Sequence, residues 1–514
     1  MSNTKPATQP TAKDAEIPKS ALKIGKAAFL MSAGIILALI VVSGILTLVL
    51  PAGEYERVVT DGRTLVVSGS YREIARPDYP VWRWLVAPVE VLFSSGNASL
   101  IVIILFILSV GGSIAILERA GVMEDLVRRL VAKFSSRKYL LVALVIFFFM
   151  AVSSFIGVYE GMVPMIIFVV PLAISLGWDS LTGLGMSLLP LAFGFASAVT
   201  NPFTIAVAQR IADLPLFSGA LLRVVFFFTV YALVTGFVIG HAKKVEANPR
   251  ASATFKEDEA IRARLASMAS GNGALGDSAT SGALVKEPST VLVRARGRAL
   301  IWFASCVGVA MAVVFVTARL PGLSDLAFPV MALLFLVGGI GGGLIAALSG
   351  GEVARAFGKG ALDLFPGVVL ILMAYSVKHV IVSGKIMDTI LFGAASLISG
   401  ATPMLAAFLV YATTLVMNFF IGSASAKAFL MMPLLAPLAD LVGITRQTAV
   451  LAFDFGDGFS NMIFPTNALL LIALSFTVVS YPKWMLFTWK LQILMLAVTS
   501  AFLAFAVAIR FGPF

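Results

Sequence analysis

The chain has 514 residues, 59% of them hydrophobic and only 13% charged, against roughly 25% charged in ordinary soluble domains. A mean hydropathy of +0.98 excludes a water-soluble enzyme, a nucleic-acid binder and a disordered chain, because apolar surface on this scale needs lipid around it. The net charge of +11 sits mostly between apolar runs, where cytoplasmic loops carry it, so it speaks of topology and not of a nucleic-acid partner. Cys306 is the single cysteine, and His241 and His379 are the two histidines, which leaves no disulfide framework and no cysteine- or histidine-based metal site.

Residues 1–27 form a polar tail with five lysines against two acids. The apolar run Ala28 to Leu50 is too long for the core of a secretory leader and lacks a clear cleavage site, so it reads as an uncleaved first helix. From Pro51 to Asn97 lysine disappears, and Asp61-Gly62 between Val58-Val59 and Leu65 predicts a β-hairpin on the outer side. Val81 to Ser95 follows as an interfacial stretch anchored by Trp82 and Trp84. Further apolar runs lie at 100–117, 139–177, 181–211, 220–240, 299–317, 326–348, 365–382, 402–442, 445–480 and 485–509, several of them too long for one crossing. Between the halves, residues 242–298 hold a Ser/Gly/Ala-rich segment and a short amphipathic stretch near Lys256 to Leu265, and read as a flexible linker.

Charge parity decides how the long runs cross. The tail, residues 118–138 and residues 242–298 carry net charges of +3, +3 and +4, so all three are expected in the cytoplasm. That parity requires residues 139–177 to enter and leave on one face as a re-entrant hairpin. The same count in the second half gives a hairpin at 402–442 from the opposite face. The expectation is an all-α polytopic membrane protein with about nine transmembrane helices and two re-entrant hairpins. Its parts are a cytoplasmic tail (1–27), a first half (28–241), a cytoplasmic linker (242–298) and a second half (299–514).

Short motifs recur between the halves in the same order. Phe155-Ile156-Gly157 returns as Phe420-Ile421-Gly422, Pro171-Leu172-Ala173 as Pro437-Leu438-Ala439, Thr200-Asn201 as Thr466-Asn467, and Gly121 with Asp125 as Gly384 with Asp388, at offsets of 263 to 266. With hairpins entering from opposite faces, the repeat is inverted, an arrangement that places a site between the halves reachable from either side.

Polar chemistry at depth gathers at four places. The first hairpin tip carries Gly157, Tyr159 and Glu160, and the second carries Gly422, Ser423 and Ser425; Thr200-Asn201-Pro202 and Pro465-Thr466-Asn467 interrupt long apolar stretches. Proline breaks each helix there, and the freed backbone groups must find partners in water, ions or substrate. Half-helix N-termini suit a carboxylate; Asn and Thr oxygens suit sodium or a hydroxyl. Glu160, Lys427, Asp454 and Asp457 are charges inside apolar runs and therefore functional candidates, with mutual pairing of Lys427 and Asp454 as the structural alternative.

These residues resemble a known family. Val199-Thr200-Asn201-Pro202-Phe203-Thr204, Leu214-Pro215-Leu216-Phe217-Ser218-Gly219 with Arg223, and Gly456-Asp457-Gly458-Phe459-Ser460-Asn461 leading to Pro465-Thr466 are similar to the YfcC-like branch of the anaerobic C4-dicarboxylate carrier (DcuC) family, in the ion transporter superfamily. The resemblance implies an inverted-repeat carrier, usually dimeric, whose transport domain slides against a scaffold while carrying substrate and often sodium. It places the substrate at the two tips and two breaks (Gly157, Tyr159, Glu160, Thr200, Asn201, Gly422, Ser423, Ser425, Thr466, Asn467) and a coupling ion near Asp457 and Asn461; as charges inside apolar runs, Lys427 joins the expected substrate set and Asp454 the expected coupling set, for Na+ or H+. The family pattern has two adjacent acids at the first tip and glutamine where Lys427 and Asp454 stand, so Lys427 is expected to act as a tethered cation balanced by Asp454.

The expected function is ion-coupled transport of a small carboxylate across a bacterial cytoplasmic membrane, with a homodimer and the lipid bilayer as partners and no cofactor or resident metal. Exchange of a basic amino acid is the alternative on the same fold. A membrane enzyme lacks support, since no Gly-x-Ser-x-Gly or His-Glu-x-x-His occurs. A channel would need a continuous polar pore, whereas polarity here is concentrated at two related spots.

Overall fold

The computed structural model describes residues 26–60, 63–94, 98–123, 125–126, 129, 137–269, 290–317 and 327–512. Among these, eight helices are long and apolar enough to cross a membrane, and strands are confined to two short pairs.

One group of helices, Lys26–Val49, Ala98–Arg119, Thr290–Thr317, Ala327–Ile345 and Gly350–Ser383, packs together through small residues. A Cβ added at Gly360 would lie 2.3 Å from the Gly111 carbonyl oxygen, and one at Gly339 2.5 Å from Ser113 Cβ. Such close approach replaces the hydrophobic drive that lipid removes. Gly350–Ser383 begins well before the apolar run predicted from Phe365, because Ser349 and Glu352 form a capping box at its start.

On the predicted outer side, Arg57–Thr60 pairs antiparallel with Arg63–Val66, with Thr60 opposite Arg63; the turn residues Asp61 and Gly62 lie outside the described residues. Buried Asp388 pins this hairpin, accepting from Arg57 at 2.8 Å on both oxygens and from the Tyr55 amide at 2.9 Å. Trp82 is exposed in helix Trp82–Phe93, as an interfacial anchor would be. Trp84 corrects the expectation. Its indole covers Gly44, where an added Cβ would meet the ring at 2.2 Å, so it packs helix on helix.

The second group carries the two reversals. Helix Lys138–Ala151 continues through a π-helical turn, Val152–Ile156, breaks at Gly157 and returns as Glu160–Met165 and Ile166–Ser175. Both arms pack on Ser180–Ala196. The Tyr139 and Trp178 rings lie 6.1 Å apart, so the two ends of 139–177 stand together. At the far end of the same helix, Ser153 and Ser154 near the tip donate to the Leu191 and Ser197 carbonyls at 2.6 and 2.5 Å. Pro403–Phe420 and Ala424–Val442 repeat the course: Gly443 returns to Pro403, 3.8 Å from its Cγ to an added Cβ.

Residues 242–269 correct the expectation of a flexible linker. Helix Ala220–Ala247 runs into this stretch, and Phe255–Ala269 is a second helix that docks at the foot of the first hairpin. Buried Asp179 binds His241 Nε2 at 3.0 Å and accepts from Ser252 Oγ at 2.7 Å and the Thr182 amide at 2.8 Å. Buried Asp258 accepts from the Ser180 amide at 3.0 Å and Thr254 Oγ1 at 2.7 Å. Burial pushes the Asp258 carboxyl up. At Asp179 burial pulls the same way, but His241 and the hydroxyls outweigh it and hold the carboxyl below its ordinary value. Ser252 and Thr254, polar residues of this stretch, are thus partners of two buried carboxylates. Residues 270–289 lie outside the described part.

Candidate functional site

The long runs 181–211 and 445–480 each break where Pro202 and Pro465 stand. Ser180–Ala196 resumes as Ile205–Ile211, and Arg446–Gly458 resumes, after the short turn Phe459–Met462, as Ala468–Ser475. A proline cannot supply the amide that a continuous helix needs. In the first break Thr200 Oγ1 donates to the Phe155 carbonyl at 2.8 Å; in the second Thr466 Oγ1 donates to the Phe419 carbonyl at 2.6 Å. Asn201 Oδ1 accepts from the Phe203 and Thr204 amides at 2.8 and 3.3 Å, and Asn467 Oδ1 from the Leu469 and Leu470 amides at 2.9 and 3.3 Å. The recurrence in sequence is therefore a recurrence in hydrogen bonding, and each break is tied to its own hairpin tip. Both asparagine oxygens are thus occupied, Asn467 as the cap of the resuming helix and Asn201 in a local turn just before its own.

The tips differ from each other. Gly157 has φ +77°, and an added Cβ would lie 2.3 Å from Asn201 Oδ1, so the first tip needs glycine there. Tyr159 is buried, with its ring 5.7 Å from Phe195. Glu160 opens the turn Glu160–Met165, and its side chain lies outside the described part. At the second tip Gly422 and Ser423 are exposed and Ser425 is half-buried. Ser423 does not cap helix Ala424–Val442 with its side chain, and the helix's first backbone bond runs from the Lys427 amide to the Ser423 carbonyl at 3.0 Å. The amides of its first turn and the positive end of its dipole thus point out of the tip.

The buried charges correct one pairing. Lys427 Nζ donates to Asp457 Oδ1 and Asn418 Oδ1, and both side chains of the ion pair are 0% exposed. The expected partner, Asp454, lies one turn earlier on helix Arg446–Gly458 and faces Thr204 and Arg223 of the first half instead. Asn418 Nδ2 donates to the Asp457 carbonyl at 3.0 Å, Ser460 Oγ at 2.6 Å and Asn461 Oδ1 at 3.0 Å, while Asn467 Nδ2 reaches the same Asn461 oxygen at 2.7 Å. One network therefore runs from the second hairpin through Asp457 and Asn461 to the second break. Asn418 and Ser460 are additions to the sequence-derived set. The signal for Asn418 was there, an amide inside the apolar run 402–442.

The two tip–break pairs meet through the helices that carry them. A Cβ at Gly458 would lie 2.1 Å from Ala196 Cα, and the Phe193 and Phe459 rings stack at 6.3 Å. His379 belongs elsewhere, against Glu90 at 3.2 Å and Ser94 at 3.3 Å. Among the described residues no cluster of three or more His, Cys, Asp or Glu could hold a metal ion.

Helices long enough to span lipid, interrupted in pairs around buried polar side chains, belong to a multi-pass membrane transporter. The chain is a member of the C4-dicarboxylate anaerobic carrier (DcuC) family, which matches residues 29–508. Among curated relatives, the protein named "Putative basic amino acid antiporter YfcC" of Escherichia coli (strain K12) is 30% identical over 391 residues, covering 74% of this chain and 73% of that protein. An uncharacterized protein of Haemophilus influenzae is 25% identical over 425 residues, covering 83% of this chain and 78% of its own. Among solved structures, the YdaH transporter of Alcanivorax borkumensis aligns over 94% of this chain and 99% of its own at 18% identity and a TM-score of 0.38. MtrF of Neisseria gonorrhoeae, described within a class of antimetabolite efflux pumps, aligns over 93% and 95% at 18% identity and a TM-score of 0.39.

Proposed function

We propose that the protein is a secondary active transporter that moves a small organic acid, a C4-dicarboxylate or related carboxylate, across the cytoplasmic membrane by ion-coupled symport or exchange. The observation that carries this reading is the uncapped start of helix Ala424–Val442 at the exposed tip Gly422-Ser423. Backbone amides at the positive end of a 19-residue helix offer a carboxylate its best match, and the family's description names the same class of substrate. Gly157, Tyr159, Glu160, Thr200, Asn201, Ser425, Thr466 and Asn467 would line or brace the rest of the pocket. The two hairpins would be re-entrant from opposite faces, and the group of helices bearing them would slide against the other group within a homodimer, with the N-terminus in the cytoplasm.

Lys427 supplies, in this reading, the cation that the family resemblance leads one to expect as sodium: its ammonium sits on Asp457 and Asn418, where a bound ion would need the same oxygens. Asp454, Asp457 and Asn461 remain the coupling region. A second reading, exchange of a basic amino acid, draws on the name of the Escherichia coli relative and on the acid Glu160 at the first tip. Uptake of labelled succinate and labelled arginine into proteoliposomes, with and without a sodium gradient, separates the two. Succinate uptake indifferent to sodium supports the proposal. Arginine exchange without succinate uptake replaces it.

A further inference from the structure

We infer that Asp454, Thr204 and Arg223 form a proton site at the seam between the two halves, and that substrate movement is coupled to protons there; this rests on the transport reading above. Asp454 is 1% exposed. No hydrogen bond of ordinary length and angle reaches either of its carboxylate oxygens, nor Thr204 Oγ1 or Arg223 Nε, although the Arg223 guanidinium, the Thr204 hydroxyl and the Ala198 amide are the groups that face the carboxylate. Four unsatisfied polar atoms thus gather from three elements: helix Arg446–Gly458 of the second half, the first break, and helix Ala220–Ala247. Buried polar groups are nearly always paired, so four such atoms gathered from three elements at one seam mark a place whose occupant changes.

The surroundings select the occupant. Arg223 is fixed, with its terminal nitrogens donating to the carbonyls of Ser218 at 2.8 Å, Val199 at 3.1 Å and Phe217 at 3.2 Å. Its charge is permanent. Asp457, one turn further on, is answered by Lys427, and Tyr411 on the neighbouring helix shares its hydroxyl with Thr499 at 2.7 Å. Helix Ser180–Ala196, packed on the other side, brings no charged residue. A sodium ion here would find one carboxylate and one hydroxyl as ligands, with a guanidinium beside them. A proton needs a single carboxylate oxygen, and the resulting O–H can then donate to Thr204 Oγ1.

The step balances simply. A proton from the water-facing side binds Asp454, and the Asp454–Arg223 unit goes from net neutral to one positive charge. That charge offsets one negative charge of a carboxylate substrate, so proton and substrate travel in the same direction. The Lys427–Asp457 contact pair of the same coupling region takes up no proton in this step.

The test combines two measurements on the full-length protein. Infrared difference spectroscopy of the purified protein, stepped through pH, is expected to show the carbonyl band of a protonated carboxylic acid that Asp454→Asn removes. In proteoliposomes holding a pH-sensitive dye, succinate addition is expected to drive protons inward, with the proton-to-succinate ratio falling about tenfold in Asp454→Asn and returning in Asp454→Glu. A titrating band unaltered in Asp454→Asn, or an unaltered proton ratio, overturns the inference. Failure of the wild type to take up succinate counts against the substrate reading, while the infrared band still decides the proton site. Should Asp454→Asn misfold, Thr204→Val, which removes the acceptor and keeps the carboxyl, is expected to shift the band's frequency; an unshifted band also overturns it.

Discussion

Lys427 and Asp457 form a contact ion pair in which neither side chain is exposed. A pair this buried returns little net stability, but either charge left alone in the interior is strongly unfavourable. Lys427→Gln and Asp457→Asn are each expected to lose about 3–5 kcal/mol of stability. The double variant should recover most of that loss, since it leaves no orphaned charge. Thermal melts of the four proteins in detergent check it; losses that simply add would show that the two residues act separately.

Removing the lysine should also change what the site binds. With its ammonium gone, Asp457 and Asn418 present the oxygens that Lys427 now holds. Lys427→Gln is therefore expected to gain a sodium-dependent rise in melting temperature by mass action, whereas the wild type should not respond. A wild type stabilised by sodium as strongly as the variant would contradict the tethered-cation reading.

Two glycines at hairpin ends make a graded comparison. Gly157 and Gly443 both have φ +77°, which a side chain resists by about 1–2 kcal/mol. Only at Gly157 does the added Cβ also collide, 2.3 Å from Asn201 Oδ1, against 3.8 Å to Pro403 Cγ at Gly443. Gly157→Ala should therefore lower both the melting temperature and transport more than Gly443→Ala. Equal effects would mean that the tip is not seated on Asn201.

The foot of the first hairpin should be acid-sensitive. The Asp179 carboxyl lies below its ordinary value even though burial opposes this, through His241, Ser252 and Thr182. A depressed carboxyl contributes stability that is full above its unfolded value, about pH 4, and is lost as pH falls through the folded value. Melting temperature should drop on acidification below about pH 4, and Asp179→Asn should flatten that drop while lowering stability at neutral pH. A variant with the wild-type acid profile would place the sensitivity elsewhere.

Much of this architecture was legible before any coordinates because lipid imposes a simple grammar: apolar length, charge in loops, and proline where helices stop. The matching breaks could be read from Thr200-Asn201 and Thr466-Asn467, and their hydrogen bonds to Phe155 and Phe419 follow the same repeat. Pairing was less legible. Asp454 and Asp457 are one helical turn apart, and which of them meets Lys427 depends on the rotation of helix Arg446–Gly458 about its axis, a tertiary property. The docking of Phe255–Ala269 is hidden for a similar reason: its polar residues look solvated, yet one of them, Asp258, is buried against Ser180. Asn418 stands out in the sequence as a polar residue in an apolar run, but its three acceptors are set by tertiary packing.

Thiol labelling at the second tip tests most directly whether the exposed amides at Ser423 receive the substrate. In a Cys306→Ala background, Ser423→Cys and Ser425→Cys should react with a membrane-impermeant maleimide, and succinate should slow the reaction while arginine does not. Labelling at the same rate with and without succinate, at both positions, would contradict the assignment of this helix start as the carboxylate site.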